Sequence, residues 1–201
     1  MTGQVADNIE YKAERLAIYG SQGRGLFTPQ DFDIVPKPLS TACHRGYICN
    51  YAINGEHLTL KELELYIGTN AKALIGSGNA PELNGHSPEF NSKEHCANYS
   101  NLDMPISFSG SLVCGGDHLR NLFHPNLRFL PMVYFCKTVF EFEFSNGQET
   151  KVTDHSDKFK QLREVSGGSE YCKKRTMPHE EIESNIKSIF LGSYRLAVFG
   201  L

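Results

Sequence analysis

Tryptophan is missing from this 201-residue chain. No apolar run approaches the roughly eighteen residues that a membrane-spanning helix needs, so a membrane is not an expected partner. The start, Met1-Thr2-Gly3-Gln4-Val5-Ala6-Asp7, carries neither a basic stretch nor an apolar core. No secretory signal is read there, and a cytoplasmic location is expected. An excess of basic charge is also lacking: 20 Lys and Arg stand against 23 Asp and Glu, for a formal net charge of -3. That balance lacks the electrostatic footprint of a nucleic-acid binder. The one basic run, Lys173-Lys174-Arg175, is short, and nucleic acid is not an expected partner. Cysteine pairs at the two-residue spacing of zinc sites are absent too. The six cysteines are Cys43, Cys49, Cys96, Cys114, Cys136 and Cys172. Without a signal they are expected to be reduced, with Cys49, Cys114 and Cys136 acting as small core residues inside apolar strand patterns.

What is present is a strand pattern. Cys43 to Leu65 reads as two strands joined by a tight turn, with Asn54-Gly55 supplying the positive-φ pair. Tyr47, Cys49, Tyr51 and Ile53 share one face of the first arm. In the second arm the apolar parity changes between Leu60 and Leu63, which predicts a β-bulge. A second clean alternation places Ile106, Phe108, Gly110, Leu112 and Cys114 on one face, with Gly115-Gly116 expected to end the strand and Asp117 to cap a short helix. Met132 to Phe144 reads as a long strand that buries Tyr134, Cys136, Thr138, Phe140, Phe142 and Phe144 and leaves Glu141 and Glu143 wet. Asn146-Gly147 marks another hairpin turn, with its return arm over 149–153. Short helices are expected over 157–165, with Phe159 and Leu162 inward, and over 180–189 after Pro178, with Ile182, Ile186 and Ile189 at helical spacing. Arg15 to Tyr19 and Arg195 to Gly200 read as short strands of similar sequence, and residues 1–11 as loosely docked. The glycine-, proline-, Asn- and Ser-rich stretch from about 68 to 104 reads as a long surface excursion. The expectation is one domain over 1–201 of α+β class: a mainly antiparallel, strongly curved sheet or partly open barrel with two or three short helices packed on it.

Three groups of residues carry chemistry worth weighing. In the first, Tyr19-Gly20-Ser21-Gln22-Gly23-Arg24-Gly25 is followed by Asp31-Phe32-Asp33-Ile34-Val35. The pattern resembles the signature of minimal nucleotidyltransferases, in which a strand runs into Gly-Ser and two aspartates sit two apart on the next strand. The resemblance implies that Gly20, Ser21, Gly23 and Arg24 hold nucleotide phosphate. It implies that Asp31 and Asp33 are catalytic and bind magnesium, since residues i and i+2 of a strand share a face. The plainer reading is a glycine turn followed by a capped helical turn, with Thr28 at the cap, Pro29 at the first helical position and Asp31 merely capping.

The second group is a thiol or metal reading of Cys43-His44 with Cys49, and of His95-Cys96. The spacing does not gather four ligands, and adjacent residues of an extended segment point apart. The third is a binding surface. Nine tyrosines and thirteen phenylalanines are generous for this length, and Arg45, Tyr47, Tyr51, His124 and Arg128 fall at turns or strand ends. Arginine and tyrosine are the residue types that form contact hot spots. The sequence therefore favours a non-enzymatic recognition or accessory protein without a cofactor, one that neutralises a protein partner in the manner of a toxin-immunity protein. The alternative is a magnesium-dependent nucleotidyltransferase-like enzyme. A homo-oligomer is compatible with either.

Overall fold

A computed structural model describes residues 4–122, 130–166 and 177–197. Strands dominate. β1 (Asn8–Tyr11) and β2 (Glu14–Arg24) form an antiparallel hairpin, and β1 also pairs in parallel with β3 (Tyr47–Asn54). β3 continues through a tight turn into β4 (His57–Leu65). After a short helix, α1 (Ala71–Gly76), the strands β5 (Glu89–Asn91), β6 (Cys96–Tyr99) and β7 (Met104–Pro105) return along β4. β8 (Ser109–His118), β9 (Cys136–Ser145) and β10 (Gln148–Asp154) follow. Two helices, α2 (Ser156–Val165) and α3 (His179–Ile189), complete the described chain, and neither is long and apolar enough to cross a membrane.

The sheet order is β10-β9-β8-β2-β1-β3-β4-β6-β5, with one additional contact between β10 and β4 at Gln148 and His57. The sheet is thus bent into a ring that stops short of a true barrel. The reason lies in β4. Its far edge is shared among β6 at Leu63–Leu65, β7 at Thr59 and Leu60, and β10 only at His57. The ring is fastened where two hairpin tips meet: the Leu58 amide donates to the Gly147 carbonyl at 2.8 Å and the Glu149 amide to the Glu56 carbonyl at 2.6 Å. Gly147 is required there. Its φ is +83°, and a Cβ would stand 2.3 Å from the Ile106 carbonyl oxygen.

The alternation read from the sequence sets the faces. Ile9, Leu16, Cys49, Tyr51, Leu58, Leu60, Leu63, Leu112, Cys114, Phe142 and Phe144 form one buried cluster inside the ring. Aromatic edges meet faces there, with Tyr11 and Phe142 at 4.9 Å between ring centroids. The expected bulge is present: Asn50 pairs with Glu62 and Tyr51 with Leu60, so Lys61 is the extra residue. A second cluster lies outside the ring, where Tyr19, Val113, Cys136 and Val139 meet Phe159 and Leu162 of α2 and Ile182 and Ile186 of α3.

Several local expectations are corrected. The β3–β4 turn is Gly55-Glu56, at φ +54° and +73°, one residue beyond the Asn54-Gly55 pair, because Asn54 still pairs with His57. Residues 8–11 are a strand between β2 and β3; their hairpin turns at Lys12-Ala13, both at positive φ, without a glycine. Gly115-Gly116 does not end β8. It sits in the ladder because a Cβ would meet the Cys136 thiol at 2.7 Å and the Leu16 side chain at 2.8 Å. Asp117 lies in the left-handed region near the end of β8, and the turn that follows is a 3-10 turn over Arg120–Leu122. Between 68 and 104, Leu83, Ala97, Tyr99 and Leu102 are buried in the inner cluster. Residues 195–197 are not a strand, but the Ala197 amide donates to the Tyr19 carbonyl at 2.7 Å, so the two similar segments touch. The last residues of that expected strand lie outside the described chain, as do Lys173-Lys174-Arg175 and Cys172.

Candidate functional site

The glycine-rich stretch is strand rather than loop. Gly20, Ser21, Gly23 and Arg24 pair along β8 with Val113, Leu112, Gly110 and Ser109. Gly23 and Gly110 face each other so closely that a Cβ on Gly23 would lie 2.3 Å from the Ser109 carbonyl oxygen. The backbone donors of this stretch are part of a ladder. Asp31 and Asp33 are exposed and do not share a strand face: Asp31 lies in a 3-10 turn over Pro29–Phe32, and Asp33 ends that turn at φ +56°. The capped turn was the plainer sequence reading, although Thr28 makes no side-chain cap bond. Among the described residues, no three His, Cys, Asp or Glu side chains gather in a way that could hold a metal ion.

Of the proposed binding-surface residues, Arg45, Tyr47 and Tyr51 are described. Arg45 is committed to the fold: both its terminal nitrogens reach Asp7, its Nε donates to the Tyr47 carbonyl at 2.8 Å, and it lies over the Tyr47 ring. Asp7 in turn accepts the Cys49 amide at 2.6 Å. Burial works against the Arg45 charge, but the facing Asp7 carboxylate outweighs it and holds the guanidinium above its ordinary pKa. Tyr51 is 2% exposed, inside the ring. Tyr47 is half-buried. His124 and Arg128, with Phe123 and Phe129, lie outside the described residues.

A different segment presents what those residues do not. From Phe32, the last residue of the 3-10 turn, to Leu39 the chain shows Phe32 at 45%, Val35 at 69% and Leu39 at 36% exposure. The run is pinned from beneath. Pro29, Phe27 and Ile34 are buried, Phe32 stacks on Phe27 at 5.4 Å, and the Lys37 amide donates to the Tyr66 carbonyl at 2.8 Å. Pro36 and Pro38 lack the donors a strand ladder would use. The outcome is a short anchored segment with three exposed apolar side chains and, at its start, two exposed carboxylates, Asp31 and Asp33. Its sequence signal was the apolar residues threaded between prolines, which a search for paired strands passes over.

The outer cluster holds a buried polar network that alternation had placed in water. Glu141 and His155 are each 1% exposed and meet at 2.9 Å. The Tyr194 hydroxyl donates to Glu141 at 2.6 Å, and the Leu191 and Gly192 amides also point at the carboxylate. Burial alone would raise the Glu141 pKa, but the donors from Tyr194, His155 and Leu191 outweigh it and hold the carboxyl below its ordinary value. Nearby, Arg163 is buried and donates to the carbonyls of Tyr134 and Cys136; burial lowers its pKa. The five described cysteines are unbonded and buried. Burial pushes Cys96 up to about 11 and Cys136 up to about 12, so neither is an activated nucleophile.

No protein-family model, curated protein or solved structure matches this chain.

Proposed function

We propose that the chain is a recognition protein that binds a protein partner through its Phe32–Leu39 face. The observation that carries this reading is the anchored apolar run of Phe32, Val35 and Leu39. Apolar surface left in water forgoes about 25 cal/mol per Å². A side chain free to fold inward would do so, whereas these three are kept outward by the buried residues between and beneath them. Clustered, fixed apolar exposure of this kind is what interaction sites offer. Asp31 and Asp33 beside it, on a chain of net charge -3, suit a partner whose apolar depression is edged with lysine or arginine.

The test starts with the purified chain as bait, mass-spectrometric identification of the bound protein, and calorimetric titration of that protein after separate purification. The double variant Phe32→Asp, Val35→Asp is expected to weaken binding by about a hundredfold or more, with a lowering of the melting temperature limited to the lost Phe32–Phe27 stacking. Added salt is expected to weaken the wild-type complex further. Unchanged affinity in the double variant overturns the reading. A wild-type dimer in sedimentation that the variant lacks would give the face to self-association instead.

A further inference from the structure

At the end of β8 the surface opens into a depression of about 570 Å³, lined by Asp117, His118, Leu119, Arg120 and Lys137. The depression is wide and largely open to solvent. Its charge is opposite in sign to that of the whole chain. Among the described residues, Arg120 and Lys137 bring two permanent cations and His118 an imidazole against one carboxylate, Asp117, on a molecule of net charge -3.

The lining is held by regular structure. His118 pairs with Cys136 and Gly116 with Thr138 across the β8–β9 ladder, which sets Lys137 beside the strand end that carries Asp117 and His118. The Leu119 amide donates to the Phe135 carbonyl at 2.8 Å, fixing the entry to the 3-10 turn that carries Arg120. Beneath, the buried Tyr19 holds its hydroxyl 2.5 Å from His118 Nε2, with the two rings edge to face. Burial, together with the neighbouring Cys136 thiol, pushes the Tyr19 pKa far up. The phenol therefore stays neutral and acts as a fixed post for the imidazole.

We infer that this depression binds a small phosphomonoester, with Arg120 and Lys137 on the phosphoryl oxygens and His118, positioned by Tyr19, beside them. Arginine offers a planar fork that matches phosphate, and lysine a compact point charge. A depression this wide leaves room beside the phosphoryl group for the part of the ligand that carries it. The site lies on β8, β9 and the 3-10 turn at Arg120–Leu122, on other elements than the Phe32–Leu39 face, and the two readings stand or fall separately.

Inorganic phosphate and adenosine monophosphate, titrated separately into the full chain by calorimetry, test it. Saturable binding of both is expected, with the monophosphate the tighter by about tenfold. The double variant Arg120→Gln, Lys137→Gln changes exposed side chains only and is expected to keep its melting temperature and lose about tenfold or more in affinity. Tyr19→Phe is expected to weaken binding severalfold and to shift the ring resonances of His118 in the free protein. Absence of saturable binding, or equal affinity in the double variant, overturns the site. A monophosphate that binds no more tightly than inorganic phosphate overturns the phosphomonoester assignment.

Discussion

The inner and outer cores of the molecule are built on opposite rules. Inside the ring, Phe142, Phe144, Leu60, Leu63 and Tyr51 pack against one another. Outside it, the hydrocarbon of Phe159, Ile182 and Ile186 surrounds a carboxylate, an imidazole and a guanidinium, all buried. The two are separated by one sheet, and on β9 by a single step along the chain: Phe142 points inward and Glu141 outward. An apolar core is held by area and shape. A polar one is held by donors and acceptors that must all be met at once, and it specifies which segment may lie against it. Here that segment is 191–194, which Glu141 gathers through two amides and a phenol.

Breaking the inner core should have the largest effect. Phe142→Ala is expected to cost about 3 to 5 kcal/mol, read as one cooperative loss of far-ultraviolet signal in a denaturant titration. Glu141→Gln comes next, at about 2 to 3 kcal/mol, because the amide keeps the shape but cannot accept from every donor. Hydrogen exchange should rise at Leu191 and Gly192 while Leu60 keeps its protection. If Leu60 loses protection equally, the two cores are one cooperative unit and the contrast fails.

Acid sharpens the same contrast. The folded Glu141 pKa lies below its ordinary value of 4.5, so its contribution is complete above that value and is lost as pH falls through the lowered folded one. The stability gap between wild type and Glu141→Gln should therefore be widest near neutrality and narrow steadily below pH 4.5. A gap that stays constant across that range would mean that the charge is not what holds the segment. Ser166→Ala removes the partner of the Tyr134 hydroxyl, 2.7 Å away, and should cost about 1 kcal/mol. The smallest effect should come from Glu143→Gln, two residues along the same face, where the partner Lys151 is exposed; a change within about 0.5 kcal/mol is expected.

The contrast also explains what the amino-acid order discloses. Alternation is a hydrocarbon signal, so it revealed the inner face of β3, the Lys61 bulge and the Phe140–Phe142–Phe144 row. A glutamate in the same pattern reads as wet, because nothing local shows that His155, fourteen residues on, and Tyr194, fifty-three on, will meet it. The Asn146-Gly147 turn was legible, whereas Lys12-Ala13, with no turn-forming residue, concealed β1. The aspartate pair was read as strand spacing, but Pro29 starts a 3-10 turn there. Arg120 and Lys137 line one depression because the β8–β9 pairing brings Lys137 to the strand end that leads into the Arg120 turn, which no spacing announces.

The way β4 divides its far edge has a mechanical side. The wall of the ring is stitched at one point there, Gln148 against His57. So short a closure is expected to part under tension before the longer ladders do. The two hairpins would then swing outward as flaps on an intact middle, baring lips that carry Lys61 on one side and Glu149 and Lys151 on the other. Such charge resists adhesion to a neighbouring molecule.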